Sequence, residues 1–188
     1  MKIGCVILAG GKSSRMGTDK ALLALKDKNF ITKLCEELDD FQEKFIARGS
    51  QSELKDIAWK CIPDIYIERG PLGGIHTALL QCQSDALFCV SCDMPLLKSS
   101  LAKKLCRYFE SKGKADVVIA VTEDGRKHPL CGIYRKSAVS VLEEQLLDGN
   151  YRVMEALNKL KVEYFYLSFE ESVQLKNINT PEEYQTIK

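Results

Sequence analysis

Three glycines and three cations crowd one stretch near the start of the chain, Leu8-Ala9-Gly10-Gly11-Lys12-Ser13-Ser14-Arg15-Met16-Gly17-Thr18-Asp19-Lys20. Glycine removes side-chain obstruction, so backbone amides in such a loop can close on an anion. Lys12, Arg15 and Lys20 against Asp19 leave a local charge of 3 − 1 = +2. A fork-shaped guanidinium beside compact ammonium groups suits phosphate oxygens. The stretch carries neither the Gly-x-Gly-x-x-Gly dinucleotide fingerprint nor a complete Walker loop, so a triphosphate held another way is the expectation. A second centre is Asp93, in Cys92-Asp93-Met94-Pro95. One hard carboxylate suits Mg²⁺, which takes one or two protein oxygens and fills its shell with phosphates and water. Asp93 can equally cap the turn that Pro95 completes.

These residues need elements to hold them. Ile3 to Ala9 is a continuous β-branched apolar run, as expected of a strand buried on both faces, and the glycine loop follows it directly. Ala86 to Ser91 reads as a second such strand ending at Asp93, and Asp116 to Val121 as a third. Shorter strands are expected at 44–47, 59–62, 130–134 and 162–167. Helices are expected at 21–25, 30–38 and 71–81, and on the spacing of Leu101, Leu105 and Phe109. Others follow on the face of Ala138, Val141, Leu142 and Leu146, within 149–160 once its opening Gly149-Asn150-Tyr151-Arg152 is passed, and after Thr180. There Thr180-Pro181-Glu182-Glu183 places Thr at the N-cap, Pro at the first helical position and Glu at the third. Strands alternating with helices predict an α/β fold, with a mostly parallel central sheet and helices on both faces. Ligands of such sheets collect at the carboxyl ends of the strands, where Asp93 and the glycine loop both lie.

Whole-chain quantities bound the reading. The 188 residues suit a single domain, 1–188, able to bury a core without staples. With 27 Lys plus Arg against 26 Asp plus Glu, the net charge is +1, which argues against nucleic-acid or anionic-membrane partners. No apolar run has the length of a membrane span or leader, so a soluble cytoplasmic protein is expected. The eight cysteines are scattered through apolar runs. Cys89-Val-Ser-Cys92 falls inside a strand and not at a helix start, so buried small hydrophobes are expected, not zinc or thiol redox chemistry.

The loop, together with Gly70-Pro71-Leu72-Gly73-Gly74, Cys92-Asp93-Met94-Pro95, His128-Pro129, Arg152-Val153-Met154 and Asn177-Ile178-Asn179-Thr180-Pro181, resembles the molybdenum cofactor guanylyltransferases. These belong to the nucleotidyltransferases of Rossmann-like, glycosyltransferase-A-like fold. The resemblance implies transfer of GMP from GTP to molybdopterin, with Mg²⁺ as cofactor and pyrophosphate released. It implies that Leu8, Ala9, Gly10 and Gly11 hold the nucleotide through backbone groups and that Asp64 helps bind it. Arg15 and Lys20 would contact its phosphates, and Asp93 would bind the metal. Arg152, Asn177, Asn179 and His128 would serve the molybdopterin side, and proteins that deliver molybdopterin or accept the product would be partners. Where the family often supplies Asn after its second strand, this chain has Ile46-Ala47-Arg48-Gly49. Two readings stay open beside this one: a transferase using CTP with molybdopterin or another NTP with a sugar or alcohol phosphate, and a GTP-binding partner protein without catalysis.

Overall fold

The computed structural model describes residues 1–10, 24–25, 28–48, 54, 57–178 and 180–185. Among these, nine strands and seven α-helices follow in chain order: β1 Ile3–Leu8, β2 Ala24–Leu25, β3 Lys28–Asn29, α1 Phe30–Glu37, β4 Lys44–Ala47, β5 Lys60–Ile62, α2 Gly70–Gln81, β6 Ala86–Ser91, α3 Ser99–Ser111, β7 Val117–Val121, β8 Lys127–Arg135, α4 Val139–Leu147, α5 Val153–Leu157, β9 Val162–Tyr166, α6 Phe169–Val173 and α7 Pro181–Gln185.

Seven strands form one sheet in the order β5-β4-β1-β6-β8-β7-β9. β1 pairs in parallel with β4 and β6, as does β5 with β4 and β9 with β7. β8 runs against both its neighbours, β6 and β7. It is the reversed strand of a mostly parallel sheet with helices on both faces, the architecture the alternating pattern predicts. Both faces are apolar because the central strands alternate between two cores. Cys5, Ile7, Phe88, Val90, Val118 and Ile133 pack with α1 and α3. Val6, Leu8, Leu87, Cys89, Val117 and Tyr134 pack with α2, α4 and α5.

Local chemistry explains the element bounds. The Asn29 side chain accepts from the Thr32 amide at 2.8 Å and starts α1. At α7 the Glu183 amide donates to Thr180 Oγ1 at 3.2 Å and the Thr180 amide to Glu183 Oε2 at 3.1 Å, the reciprocal cap read from the sequence. One expectation needs correction. Ala24 and Leu25 are paired as a strand with Lys28 and Asn29 and are not helical; five apolar residues are too few to nucleate a helix against a competing backbone pairing. The 149–160 stretch becomes helical after Gly149-Asn150-Tyr151-Arg152, as expected, over Val153–Leu157, because Gly149 ends α4 at φ 76° and the Asn150 side chain accepts from the Arg152 amide at 3.1 Å. Among the described residues, no helix is long and apolar enough to cross a membrane.

Candidate active site

The chain leaves β1 outward to β4 and β5, then returns to β6 on the other side of β1. Connections that diverge in this way open a crevice at the carboxyl ends of the two central strands. Its floor is stitched by backbone bonds. The Cys92 amide donates to the Leu8 carbonyl at 3.0 Å, the Ala9 amide to the Ala47 carbonyl at 2.8 Å and the Arg48 amide to the Ile62 carbonyl at 3.3 Å. The Leu8 carbonyl and Ala9 amide thus already carry sheet bonds, while Gly10 is exposed just beyond them. Gly11, Lys12, Arg15 and Lys20 lie outside the described residues.

Asp64 follows β5 at the same edge. The Ile65 amide beside it donates to Thr77 Oγ1 of α2 at 3.0 Å. A methyl group on Gly74 would stand 3.2 Å from Leu8 Cδ2, 3.3 Å from Ala47 Cβ and 3.6 Å from Asp64 Oδ1. A glycine there lets the start of α2 press against the strand ends and the Asp64 carboxylate. Glu68 precedes the helix at φ 59°, a left-handed conformation that costs a non-glycine residue about 1 kcal/mol or more and recurs at functional sites. The Arg69 guanidinium lies 4.6 Å from the Tyr151 ring centroid, tying this loop to the turn that carries Arg152.

Asp93 sits in the turn after β6, where the Met94 amide donates to the Ser91 carbonyl at 3.2 Å. The Ile178 amide donates to the Asp93 carbonyl at 2.9 Å. Ile178 is fully buried against Phe30, so the C-terminal segment is anchored on the turn that carries Asp93. That places Asn177 beside Asp93 in the chain's packing, and the buried Asn177 Oδ1 has no hydrogen-bond partner among the described residues. Asn179 lies outside them.

The other two expected acceptor residues lie on opposite faces of the sheet. Arg152 precedes α5 on the α2/α4 face, exposed, with its guanidinium 3.0 Å from Glu155. His128 opens β8 opposite Ala120, on the α1/α3 face. Burial lowers the His128 pKa from its usual value; Arg126 reinforces this and Asp124 opposes it. Sequence reasoning passed over Arg48, a buried arginine at the carboxyl end of β4, although its position after the apolar run 45–47 marks a strand end. It also passed over Thr122, buried at the end of β7 and hydrogen-bonded to His128. Cys89 is fully buried in β6 and its thiol pKa is pushed well up by that burial, as a core residue's would be. All eight cysteines are free, and the described residues hold no group of three or more His, Cys, Asp or Glu able to bind a metal together.

Residues 5–162 match the family model of the MobA-like NTP transferase domain. The chain belongs to this family. A probable molybdenum cofactor guanylyltransferase of Clostridium perfringens is 32% identical, with all of this chain and 96% of the relative aligned. Molybdopterin-guanine dinucleotide biosynthesis protein A of Archaeoglobus fulgidus superposes over all of this chain and 96% of its own, with a TM-score of 0.85 and 26% identity. The 2-C-methyl-D-erythritol 4-phosphate cytidylyltransferase of Thermus thermophilus superposes at a TM-score of 0.73 with 10% identity, covering all of this chain and 97% of its own, a likeness of fold alone. The glycine-loop sequence and Asp93 fall within the matched residues 5–162 of this NTP transferase family, and Asn177 lies beyond them.

Proposed function

We propose that this protein transfers GMP from GTP to molybdopterin, forming the guanine dinucleotide and releasing pyrophosphate. The observation that supports the reading is the 2.9 Å bond between the Ile178 amide and the Asp93 carbonyl, which brings the segment of Asn177, the expected acceptor residue, to the turn of Asp93, the expected metal ligand. GTP would enter over the carboxyl ends of β1 and β6. Gly10 and Gly11, with the remaining backbone groups of Leu8 and Ala9, would hold it, and Asp64 would support it from β5. Lys20 and Arg15 would neutralise β- and γ-phosphate oxygens. Asp93 would hold Mg²⁺ as one hard carboxylate on a turn braced by the bonds of Cys92 and Ile178, with phosphate and water oxygens completing the shell. When bound there, the ion would supply charge neutralisation at the phosphates.

Both reactants are anions, so these residues contribute positioning and electrostatics. A terminal phosphate oxygen of molybdopterin forms a bond to the α-phosphorus of GTP. The bond from that phosphorus to the bridging oxygen breaks, and the electron pair leaves on pyrophosphate. The attacking oxygen is already ionised, so no general base is required. Asn177, Asn179, Arg152 and His128 would orient the acceptor. The test is a transfer assay with purified molybdopterin, Mg²⁺ and each of GTP, CTP, ATP and UTP, scored by pyrophosphate and dinucleotide. GTP-dependent product supports the reading. A CTP preference would replace the guanylyl assignment, and GTP binding without pyrophosphate would make the protein a non-catalytic binder.

A further inference from the structure

Thr122, Asp124 and His128 form a hydrogen-bonded chain at the carboxyl edge of the sheet, beside the reversed strand. Thr122 Oγ1 lies 2.6 Å from Asp124 Oδ1, 3.1 Å from the Arg126 carbonyl oxygen and 3.1 Å from His128 Nε2. The turn around them is closed by the Thr122 amide on the Arg126 carbonyl at 3.0 Å and the Gly125 amide on the Thr122 carbonyl at 2.8 Å. The Arg126 amide adds a 3.2 Å bond to Asp124 Oδ1. Proton counting fixes the ring. A hydroxyl has one hydrogen. A carboxylate and a carbonyl can only accept, and the Thr122 hydroxyl and Arg126 amide hold Asp124 below its usual pKa, so it stays ionised. Whichever of the two oxygens takes the Thr122 hydrogen, none remains for the imidazole. His128 Nε2 must then carry a hydrogen and donate it to Thr122.

In a neutral imidazole the other nitrogen is then an acceptor. His128 is 5% exposed, and burial favours its neutral form. Its Nδ1 has no bond to a described residue, yet it is not sealed away unpartnered, as both ring nitrogens of His76 are.

We propose that Thr122 and Asp124 are positioning residues that lock His128 with its hydrogen on Nε2, so that Nδ1 accepts a hydrogen bond from an N–H group of the transferase's acceptor substrate. The amino-pyrimidinone edge of a pterin presents such groups. The assignment rests on the acceptor reading given above and extends it from His128 to two residues that do not touch substrate.

The experiment combines a ¹H–¹⁵N spectrum of the imidazoles, assigned with His128→Gln, and steady-state transfer kinetics. The wild type is expected to show His128 protonated on Nε2. Thr122→Val is expected to shift the population toward Nδ1–H and raise KM for molybdopterin about five-fold, the loss expected of one hydrogen bond. KM for GTP and kcat should stay within about two-fold of wild type, and Thr122→Ser should restore ring state and KM together. A wild-type ring protonated on Nδ1 would overturn the lock. An unchanged KM for molybdopterin in a Thr122→Val variant whose ring state has shifted would overturn the acceptor role. Should the wild type make no dinucleotide from molybdopterin with any nucleotide, the function proposed above falls and the acceptor role with it, while the ring spectrum still decides the lock.

Discussion

The Ile178 amide reaches the Asp93 carbonyl across nearly half the sequence, at 2.9 Å. The contact uses main chain on both sides, so it does not depend on the side chain of either residue. Asp93→Ala is therefore expected to remove the carboxylate without loosening the anchor. Turnover should fall by about 10²-fold or more, the usual effect of removing a charge-stabilising group, with the unfolding midpoint close to wild type. Asn177→Ala should instead raise KM for the acceptor and leave GTP binding unchanged. Transfer kinetics with a denaturation curve for each variant check both; near-wild-type turnover in Asp93→Ala would remove that residue from the site.

At the opposite edge of the sheet, Glu43 accepts from the Gln83 amide at 2.8 Å, the Ser84 amide at 2.9 Å and Ser84 Oγ at 2.5 Å. Partial burial pushes the Glu43 pKa up, but the Ser84 and Gln83 bonds outweigh it and leave it below the usual 4.5. A lowered carboxylate pKa contributes stability above the unfolded value, which is lost as pH falls through the folded one. Glu43→Ala should cost about 2 kcal/mol at neutral pH. The gap to wild type in urea midpoint should narrow as pH falls below 4.5; a gap constant with pH would show that the charge is not what matters.

Gly132 lies where the pairing of β7 and β8 shifts register between Ile119 and Ala120. A Cβ there would stand 2.3 Å from the Val118 carbonyl oxygen, which is backbone and cannot swing aside. Gly132→Ala is expected to destabilise the protein by about 3 kcal/mol, at the upper end for overpacking. Urea unfolding measures this, and a native-like midpoint would refute the local register.

Thiol labelling separates the cysteines. Cys61 is half-buried, whereas Cys5, Cys82, Cys89 and Cys131 are sealed in the two cores. Cys106 is also half-buried, but burial pushes its thiol up to about 12, leaving little thiolate. A thiol reagent at pH 8 should modify Cys61 first, by mass spectrometry, and reach the sealed four only on unfolding. Rapid labelling of Cys89 in the native protein would reopen a redox role for Cys89-Val-Ser-Cys92.

The strand Ala86–Ser91 was legible from sequence to the residue because both its faces are buried and every position is apolar or small. The α7 cap was legible because Thr180 and Glu183 bond within four residues of one another. α6 was not, since none of its five residues is buried and no apolar period marks it; only Ser168 and Glu171 signal it, as a capping box. The glycine loop lies outside the described residues from Gly11 on, while the placement of Asp93 just past the end of a buried strand was legible from the strand before it. The link from Asp93 to Ile178 was not, because a backbone bond leaves no trace in side-chain identity. Thr122 escaped for a related reason: a buried threonine gains meaning only when β8 folds back and sets His128 against it.

The reversed strand β8 has a consequence for how such a protein can change. Asp64, Asp93 and the β1 loop come from the first half of the chain, while Thr122, His128, Arg152 and Asn177 come from the second, and β8 is the seam between them. With the roles proposed above, donor and acceptor recognition would be encoded in consecutive blocks of sequence. A chimera joining residues 1–115 of this chain to the corresponding C-terminal block of a relative with a different acceptor should keep its nucleotide and take on the new acceptor, an exchange that interleaved halves would forbid.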